Sequence, residues 1–388
     1  TAPGSMPAGS VSVEDEGILF DNVLLVDEGR FLEADIRGLL ASGDHPARDP
    51  DRNIADLKAQ LAACIKGACE LNRLAGAQSR AVVDAYMGHV MAQAEEAVRA
   101  LMGRLNDGSF AYGMDDGSVI RLSVTIDRDN GEALFDFTGT SEQHPGNFNA
   151  PLPIVNAAVL YAIRTMIDGD VPMNEGCLAP IRLIVPEGSM LNPKAPGAVV
   201  AGNVETSQVV TDTIFGALGT MSAAQGTMNN LTFGNARYQY YETIAGGSGA
   251  GPAGDAEGFD GADAVQTHMT NSRLTDPEIL ESRFPVVLEE FAIRKGSAGA
   301  GRWHGGNGVI RRLRFLESME VGILSNRRRV PPFGLSGGKA GKTGRNIVVR
   351  TDGTREELSA CANVSVEAGD AIEIRTPGGG GYGKPADE

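Results

Sequence analysis

The chain has 388 residues, 42% apolar and 22% charged, the composition of an ordinary water-soluble folded protein. Its 50 acidic and 34 basic residues give a formal net charge of −16, which repels phosphate backbones and anionic lipid and so excludes nucleic acid and membrane as partners. There is no leader-like stretch and no apolar run near the roughly eighteen residues that a membrane helix needs, so a cytoplasmic location is expected.

The opening Thr1-Ala2-Pro3-Gly4-Ser5-Met6-Pro7 is turn-like and lacks an initiator Met. Thr1 could in principle be an N-terminal nucleophile, but a processing boundary, or entry partway into a longer subunit, is the expected reading. Apolar residues then recur at helical steps through Ile54, Leu57, Leu61, Cys64, Ala68 and Leu71, with Asn53 as N-cap. A second helix from Ser79 to Leu105 buries Val82, Val83, Tyr86, Val90, Val98 and Leu101, and Gly76 marks the break of a helical hairpin. The period then changes to two. Ile120, Leu122, Val124 and Ile126 alternate with polar residues, Asp129-Asn130-Gly131 makes a tight turn, and Ala133 to Phe137 returns as the partner strand. Pro153 to Ile167 reads as a helix, Pro180 to Val185 as a buried strand and Val204 to Met221 as a further helix.

Residues 245–264 are almost free of large apolar side chains and read as a solvated linker. Strands follow at Val309 to Leu316, Glu320 to Leu324, Asn346 to Arg350, Val364 to Val366 and Ala371 to Ile374. The expected fold class is α+β (mixed α/β), multi-domain: an N-terminal segment with the helical hairpin (1–118), a mixed α/β catalytic core with a mixed sheet (119–295) and a β-rich C-terminal module (296–388). Cys64, Cys69, Cys177 and Cys361 have neither zinc nor disulfide spacing, so buried reduced thiols are expected.

The chain contains no Walker loop, nucleophile elbow, HExxH or dinucleotide fingerprint, and Gly337-Gly338-Lys339 lacks P-loop spacing and reads as a turn. Candidate chemistry therefore comes from polar residues set among glycines. Asn147 and Asn149, between Gly146 and Pro151, can hold an amide or carboxylate; an Asx turn is the competing reading. Glu242 and Thr243 run into Gly246, Gly247 and Ser248, pairing a general base with backbone donors for an oxyanion; a surface linker competes. His268, beside Gln266, Thr267 and Asn271, is the most site-like of the five histidines, against the commoner structural histidine. Arg327, Arg328 and Arg329 can bind a carboxylate or phosphate, or form a charged strand edge or subunit contact.

These residues lie in runs that resemble the hydantoinase B/5-oxoprolinase family: TAPGSMPAGS, EDEGILFDNVLLVDEGRF, LFDFTGTSEQHPGNFNAP, YYETIAGGSGAGP, VQTHMTNSRLTDPEILE, GAGRWHGGNGVIRRLRFL, LSNRRRVPPFGLSGGKAGKTGRN and TPGGGGYG. They keep the family's order and span nearly the whole chain. The resemblance implies a subunit that opens a lactam or hydantoin ring together with a hydantoinase A-type partner, which binds the ATP, in a hetero-oligomer. Its alternative is a subunit of an ATP-dependent ketone carboxylase, and a chain that only scaffolds a partner is the third reading. The resemblance also implies Glu242, His268 and Thr243 as catalytic residues, with Asn147, Asn149, Gly246, Gly247, Ser248, Asn271 and Arg327 binding substrate. The metal-ligand segment of longer family members precedes the point at which this chain starts. A divalent metal is therefore expected to find its ligands outside the chain.

Overall fold

The computed structural model describes residues 6–252 and 258–385, so Thr1 and the middle of the glycine-rich stretch lie outside the described residues. The fold is mixed α/β with several sheets and, among the described residues, six helices. A two-residue ladder, β1 (Val26–Asp27) with β2 (Arg30–Phe31), precedes α1 (Glu33–Leu40), and then α2 (Pro50–Gln78) and α3 (Arg80–Met102) form the expected hairpin. Its caps differ from expectation. Asp49, not Asn53, caps α2 by accepting from the Arg52 N–H, Gly76 continues the helix, and the break falls at Ser79, whose φ is +74°. Of the residues expected to be buried, Ile54, Val83, Val98 and Leu101 are, while Leu71, Val82, Tyr86 and Val90 are exposed. Cys64 and Cys69 are exposed too, and only Cys177 is a fully buried thiol. The periodicity marks a helix; it does not say whether anything covers the face.

The first sheet has the order β3 (Gly108–Gly113), β4 (Val119–Asp127), β5 (Glu132–Asp136), β6 (Ile181–Ile184). Its last pair is parallel, and the crossover between them carries α4 (Leu152–Thr165). Burial alternates strictly along β4, as its period-two sequence requires. Against β3 and β4 packs α5 (Ser207–Leu218), entered through a wider π turn at Gly202–Thr206. Every residue from Ser207 to Ala217 is buried, although five of the first seven are polar. A helix hidden on all sides is normally apolar all round, so these polar groups need partners within the protein.

The rest of the chain builds two facing sheets. One has the order β14 (Cys361–Val366), β11 (Met319–Leu324), β7 (Asn230–Gly234), β8 (Gln239–Glu242). The other runs β13 (Arg355–Leu358), β12 (Arg345–Val349), β15 (Ala371–Arg375), β10 (Val309–Phe315), β9 (Val286–Ile293), with α6 (Pro277–Arg283) leading into β9. Phe233 and Ile323 of the first sheet share one core with Leu313, Phe315 and Ile372 of the second. Residue 296 falls between β9 and β10, which pair along their length, so the β-rich part reaches back to Asn230.

Residues 245–252 are not the expected solvated linker. Residues 258–264, although Phe259, Asp260, Ala262 and Asp263 are exposed, are tied by backbone hydrogen bonds to Gly251, His304 and Asn307. Ala245 to Gly251 are buried, woven backbone against backbone with the chain around Gly306, Gly338 and Gly379. Gly306 N donates to Ser248 O at 2.8 Å, Gly379 N to Gly306 O at 2.9 Å and Ala250 N to Gly380 O at 3.0 Å. A Cβ on Gly247 would stand 1.9 Å from Gly306 O, and one on Gly379 1.8 Å from Ser248 O. The lack of side chains reads as having nothing to bury, yet here it lets three segments bury their backbones in one another. Gly337-Gly338-Lys339 is a turn, as expected.

This weave makes a sharp contrast testable by urea denaturation. Gly379→Ala is expected to cost more than about 3 kcal/mol, as a severe overpacking of backbone. Gly38→Ala, in α1 with nothing within 4 Å of the added Cβ, is expected to be neutral or to stabilise by up to about 1 kcal/mol.

Candidate functional site

A cleft of about 1190 Å³ opens between α4, α5 and the turn that carries His268. Its apolar wall includes Leu160, Met166, Phe215, Met221 and Phe259, and its polar residues include Thr220, Gln266, Thr267, His268 and Asn271. The His268 turn is gripped by one face of α5. Gln208 donates to Thr267 O at 3.2 Å, and one turn further along Asp212 Oδ1 stands 3.3 Å from His268 Nε2. Phe215, three residues on, lies under the imidazole with ring centroids 5.3 Å apart. Spacing of four and three on a helix places all three side chains in one row. His268 is held at φ +58°, in the left-handed region, where non-glycine residues are uncommon and cluster at functional sites.

The imidazole and the Asp212 carboxylate are both almost fully buried, with side-chain exposures of 2% and 0%. Nδ1 of His268 faces the Tyr161 hydroxyl at 3.4 Å. Asp212 Oδ1 also accepts from Ala224 N at 3.0 Å, which fixes the carboxylate. Burial pushes the Tyr161 hydroxyl pKa up, so the phenol stays protonated. Thr220 Oγ1, Gln266 Oε1 and Thr267 Oγ1 are buried in the cleft lining with no hydrogen-bond partner. Such atoms cost on the order of 1–3 kcal/mol each, so three in the lining of one cleft call for an explanation.

Behind Asp212 the polar network continues inward. Arg327, fully buried, lies 3.6 Å from the centroid of the Tyr112 ring and donates to Gly113 O at 2.7 Å. A Cβ on Gly226 would meet both Arg327 Nε, at 2.7 Å, and Asp212 Oδ2, at 2.9 Å, so both groups converge on that glycine. Glu205, in the π turn, accepts at Oε1 from Thr227 Oγ1, Met228 N and Asn230 Nδ2, while Oε2 has no partner. Burial drives its carboxyl up to about 8, against the lowering effect of Thr227 and Met228.

The other sequence candidates sort by their contacts. Glu242 is closed in a bidentate pair with Arg311 (2.6 and 2.9 Å) and accepts from the Tyr240 hydroxyl; it does not reach the cleft. Its neighbour Thr243 does serve the cleft, since Gln266 Nε2 donates to Thr243 O and Oγ1. The N–H groups of Gly247 and Ser248 donate to Pro377 O and Ala262 O, so both are committed within the weave, and Gly246 bridges to Val265. Asn149 donates to His144 O, Gly146 O and Ala198 O, and Asn147 to Pro7 O and Ser10 Oγ, so both clamp loops. Asn271 lies on the cleft wall, exposed. Arg327 and Arg328 turn inward instead of forming a strand edge, with Arg328 bound to Asn346, Asn229 and Asn326 O. Asp212, Tyr161, Gln208 and Glu205 were missed by sequence reasoning. The available signal was the polar set Ser207, Gln208, Thr211, Asp212 and Thr213 in a helix whose second half is apolar. Among the described residues, no group of three or more His, Cys, Asp and Glu side chains could hold a metal ion.

A family model described as Hydantoinase B/oxoprolinase matches residues 1–385. The chain is 44% identical to a 5-oxoprolinase of Dictyostelium discoideum, covering 98% of this chain and 30% of that protein. It is 42% identical to 5-oxoprolinase 1 of Arabidopsis thaliana, covering 98% of this chain and 32% of that protein. The chain thus spans about a third of the length of these relatives. Its fold matches an ATP-dependent caprolactamase from Pseudomonas jessenii with a TM-score of 0.82 at 22% identity, over 98% of this chain and 69% of that one. No helix among the described residues is long and apolar enough to cross a membrane.

Two outcomes follow from the buried charges. Glu242→Gln strands the Arg311 guanidinium and is expected to cost about 3–5 kcal/mol in chemical denaturation. Glu205 is protonated in the fold up to about pH 8 but ionises near pH 4.5 when unfolded. The unfolded chain therefore binds fewer protons between those values, so its contribution to stability is full below pH 4.5 and is lost as pH rises to about 8. Glu205→Gln is expected to remove that decline, read as the difference in urea midpoint between variant and parent across pH 5–8.

Proposed function

Because the chain belongs to the hydantoinase B/oxoprolinase family, we propose that it is the B-type component of a cyclic-amide hydrolase, opening a lactam or hydantoin ring at the His268 cleft. The observation that carries this reading is the His268–Asp212 pair on the cleft wall. With Nε2–H directed at Asp212, the Nδ1 lone pair faces the Tyr161 hydroxyl and the cleft. His268 then takes a proton from the attacking water as its oxygen bonds to the amide carbon, and Asp212 stabilises the imidazolium. The same proton passes to the ring nitrogen as the C–N bond breaks. A positioned acid/base of this kind contributes about 10²–10⁴ in rate.

Gln266, Thr267 and Asn271 are assigned to the amide of the ring, whose methylenes rest on Met166, Phe215 and Met221. Arg104, on the cleft rim and paired there with Asp168, is the cation for a substrate carboxylate. Thr243 acts through Gln266, and Glu242, Asn147, Asn149, Gly246, Gly247 and Ser248 hold the frame. Arg327 stands behind Asp212. ATP is read as the substrate of a hydantoinase A-type partner in a hetero-oligomer. This accords with the ATP dependence named for the caprolactamase. A metal, where the reaction uses one, would take its ligands from another segment.

The test is ring opening of 5-oxoproline and of hydantoin by the chain with its A-type partner and ATP, followed by amino-acid release. His268→Ala and Asp212→Asn are each expected to lower kcat by about 10²–10⁴ with little change in KM. Near-parent kcat in both variants would remove the dyad. Bicarbonate-dependent consumption of acetone in place of ring opening would establish the ketone carboxylase reading instead.

A further inference from the structure

Arg327 carries its charge into the interior with little to balance it. Its side chain is fully buried and lies 3.6 Å from the centroid of the Tyr112 ring. Of its three nitrogens only Nη1 has a partner, Gly113 O at 2.7 Å, and that acceptor is neutral. Nε and Nη2 make no hydrogen bond within the protein. Buried charges are normally paired. Three carboxylates lie around Arg327 and Tyr112, those of Asp115, Glu205 and Asp212. Asp115 is taken by the N–H groups of Arg328, Arg329 and Val330. Glu205 is driven by burial up to about 8, so below that pH it is neutral. That leaves Asp212. Its Oδ1 accepts from Ala224 N at 3.0 Å and stands 3.3 Å from His268 Nε2, while Oδ2 has no partner.

Gly226 brings the two open ends together. A Cβ there would stand 2.7 Å from Arg327 Nε and 2.9 Å from Asp212 Oδ2, yet the two atoms do not bond to each other. Atoms so close to one point lie within the roughly 5.6 Å that a single water spans between a donor and an acceptor. Arg327 Nε and Nη2 with Asp212 Oδ2 offer such a water three bonds, the number usual for one that is buried. We propose that Arg327 is a positioning residue for the His268–Asp212 pair, holding Asp212 Oδ2 through one bridging water in the space that Gly226 leaves open. This rests on the dyad reading above, and it assigns Arg327 to the back of the site instead of to the substrate. Both carboxylate oxygens are then fixed, Oδ1 by Ala224 N and Oδ2 by the water, so the plane of the carboxylate is set and Oδ1 is aimed at Nε2. Without the water, Asp212 turns about its Cβ–Cγ bond, and the Nε2–H tautomer of His268 loses the acceptor that selects it.

Two readouts test this. One is kcat and KM for ring opening of 5-oxoproline with the A-type partner and ATP. The other is nitrogen NMR of the isotope-labelled histidines, with the His268 signals assigned by their loss in His268→Ala. The parent is expected to show the Nε2–H tautomer. Arg327→Met is expected to lower kcat about 10–100-fold at unchanged KM, the usual effect of losing a group that fixes a functional side chain, and to show both tautomers. Gly226→Ala is expected to do the same. Gly219→Ala controls for backbone strain: its φ is +68° against +62° at Gly226, but nothing lies within 4 Å of the added Cβ, so it is expected to match the parent. Parent-like kcat with an unchanged Nε2–H signal in folded Arg327→Met overturns the proposal. So does a Gly226→Ala effect no larger than that of Gly219→Ala, a comparison that carries the test if Arg327→Met does not fold. A raised KM at parent kcat gives Arg327 to the substrate and overturns it too. The tautomer readout needs no turnover, so failure of this arrangement is distinguishable from failure of the ring-opening reading.

Discussion

Close contact between stretches of backbone, with no side chain between them, is the constraint on which the rest of this molecule depends. The segments at Ser222–Gly226, Gly246–Gly251, Gly299–Gly308 and Gly378–Tyr382 hydrogen-bond to one another across distances that exclude a Cβ. From this layer the chain leaves in two directions that matter. One passes from the Gly246–Val265 bridge into the turn of His268, and the other passes Gly226, where Arg327 and Asp212 converge. Position of the imidazole and surroundings of its carboxylate are therefore both consequences of how the glycine segments pack.

The buried charges divide by whether their bonding is complete. Glu242 and Arg311 satisfy each other with two short bonds and a tyrosine besides, a closed unit whose cost appears only when one partner is removed. Around the cleft the bonding is left open: Thr267, Gln266 and Thr220 each keep an atom unmatched. A fold tolerates few such atoms, and their open bonding sets this lining apart from the closed Glu242–Arg311 pair.

How much of this was legible in the sequence depends on the range of the interaction. The alternation through Ile120 to Ile126 and the turn at Asp129-Asn130-Gly131 are local, and both stand as read, in β4 and before β5. The family runs were equally legible, because they are long and specific. His268 drew notice through its polar neighbours, but Asp212 did not, since its partner lies 56 residues away and a mid-helix Asp looks like a solvated one. Glu242 reads differently in sequence and in structure, for the opposite reason. A carboxylate ahead of a glycine run suggests a base, and only Arg311, on a strand in the facing sheet, reveals the pair. Glycines without apolar neighbours look like linker unless one knows that other glycines lie against them. The hairpin shows the reverse error, an apolar period taken as evidence of burial.

The order in which the chain is synthesised gains meaning from the last glycine strand. Ser222 Oγ donates to Gly381 O, a bond between residues 159 apart, and Thr376 Oγ1 donates to Ala245 O across 131 residues. At the usual 5–20 residues per second, the Ser222 segment waits on the order of ten seconds or more outside the ribosome before its partner emerges. During that time the central glycine segments have only one another, and the strand that closes the layer is missing. Contacts of such long range also slow folding itself. A nascent chain of this kind is exposed to chaperones and proteases for longer than its final stability would suggest, and the burden falls on backbone rather than on apolar side chains.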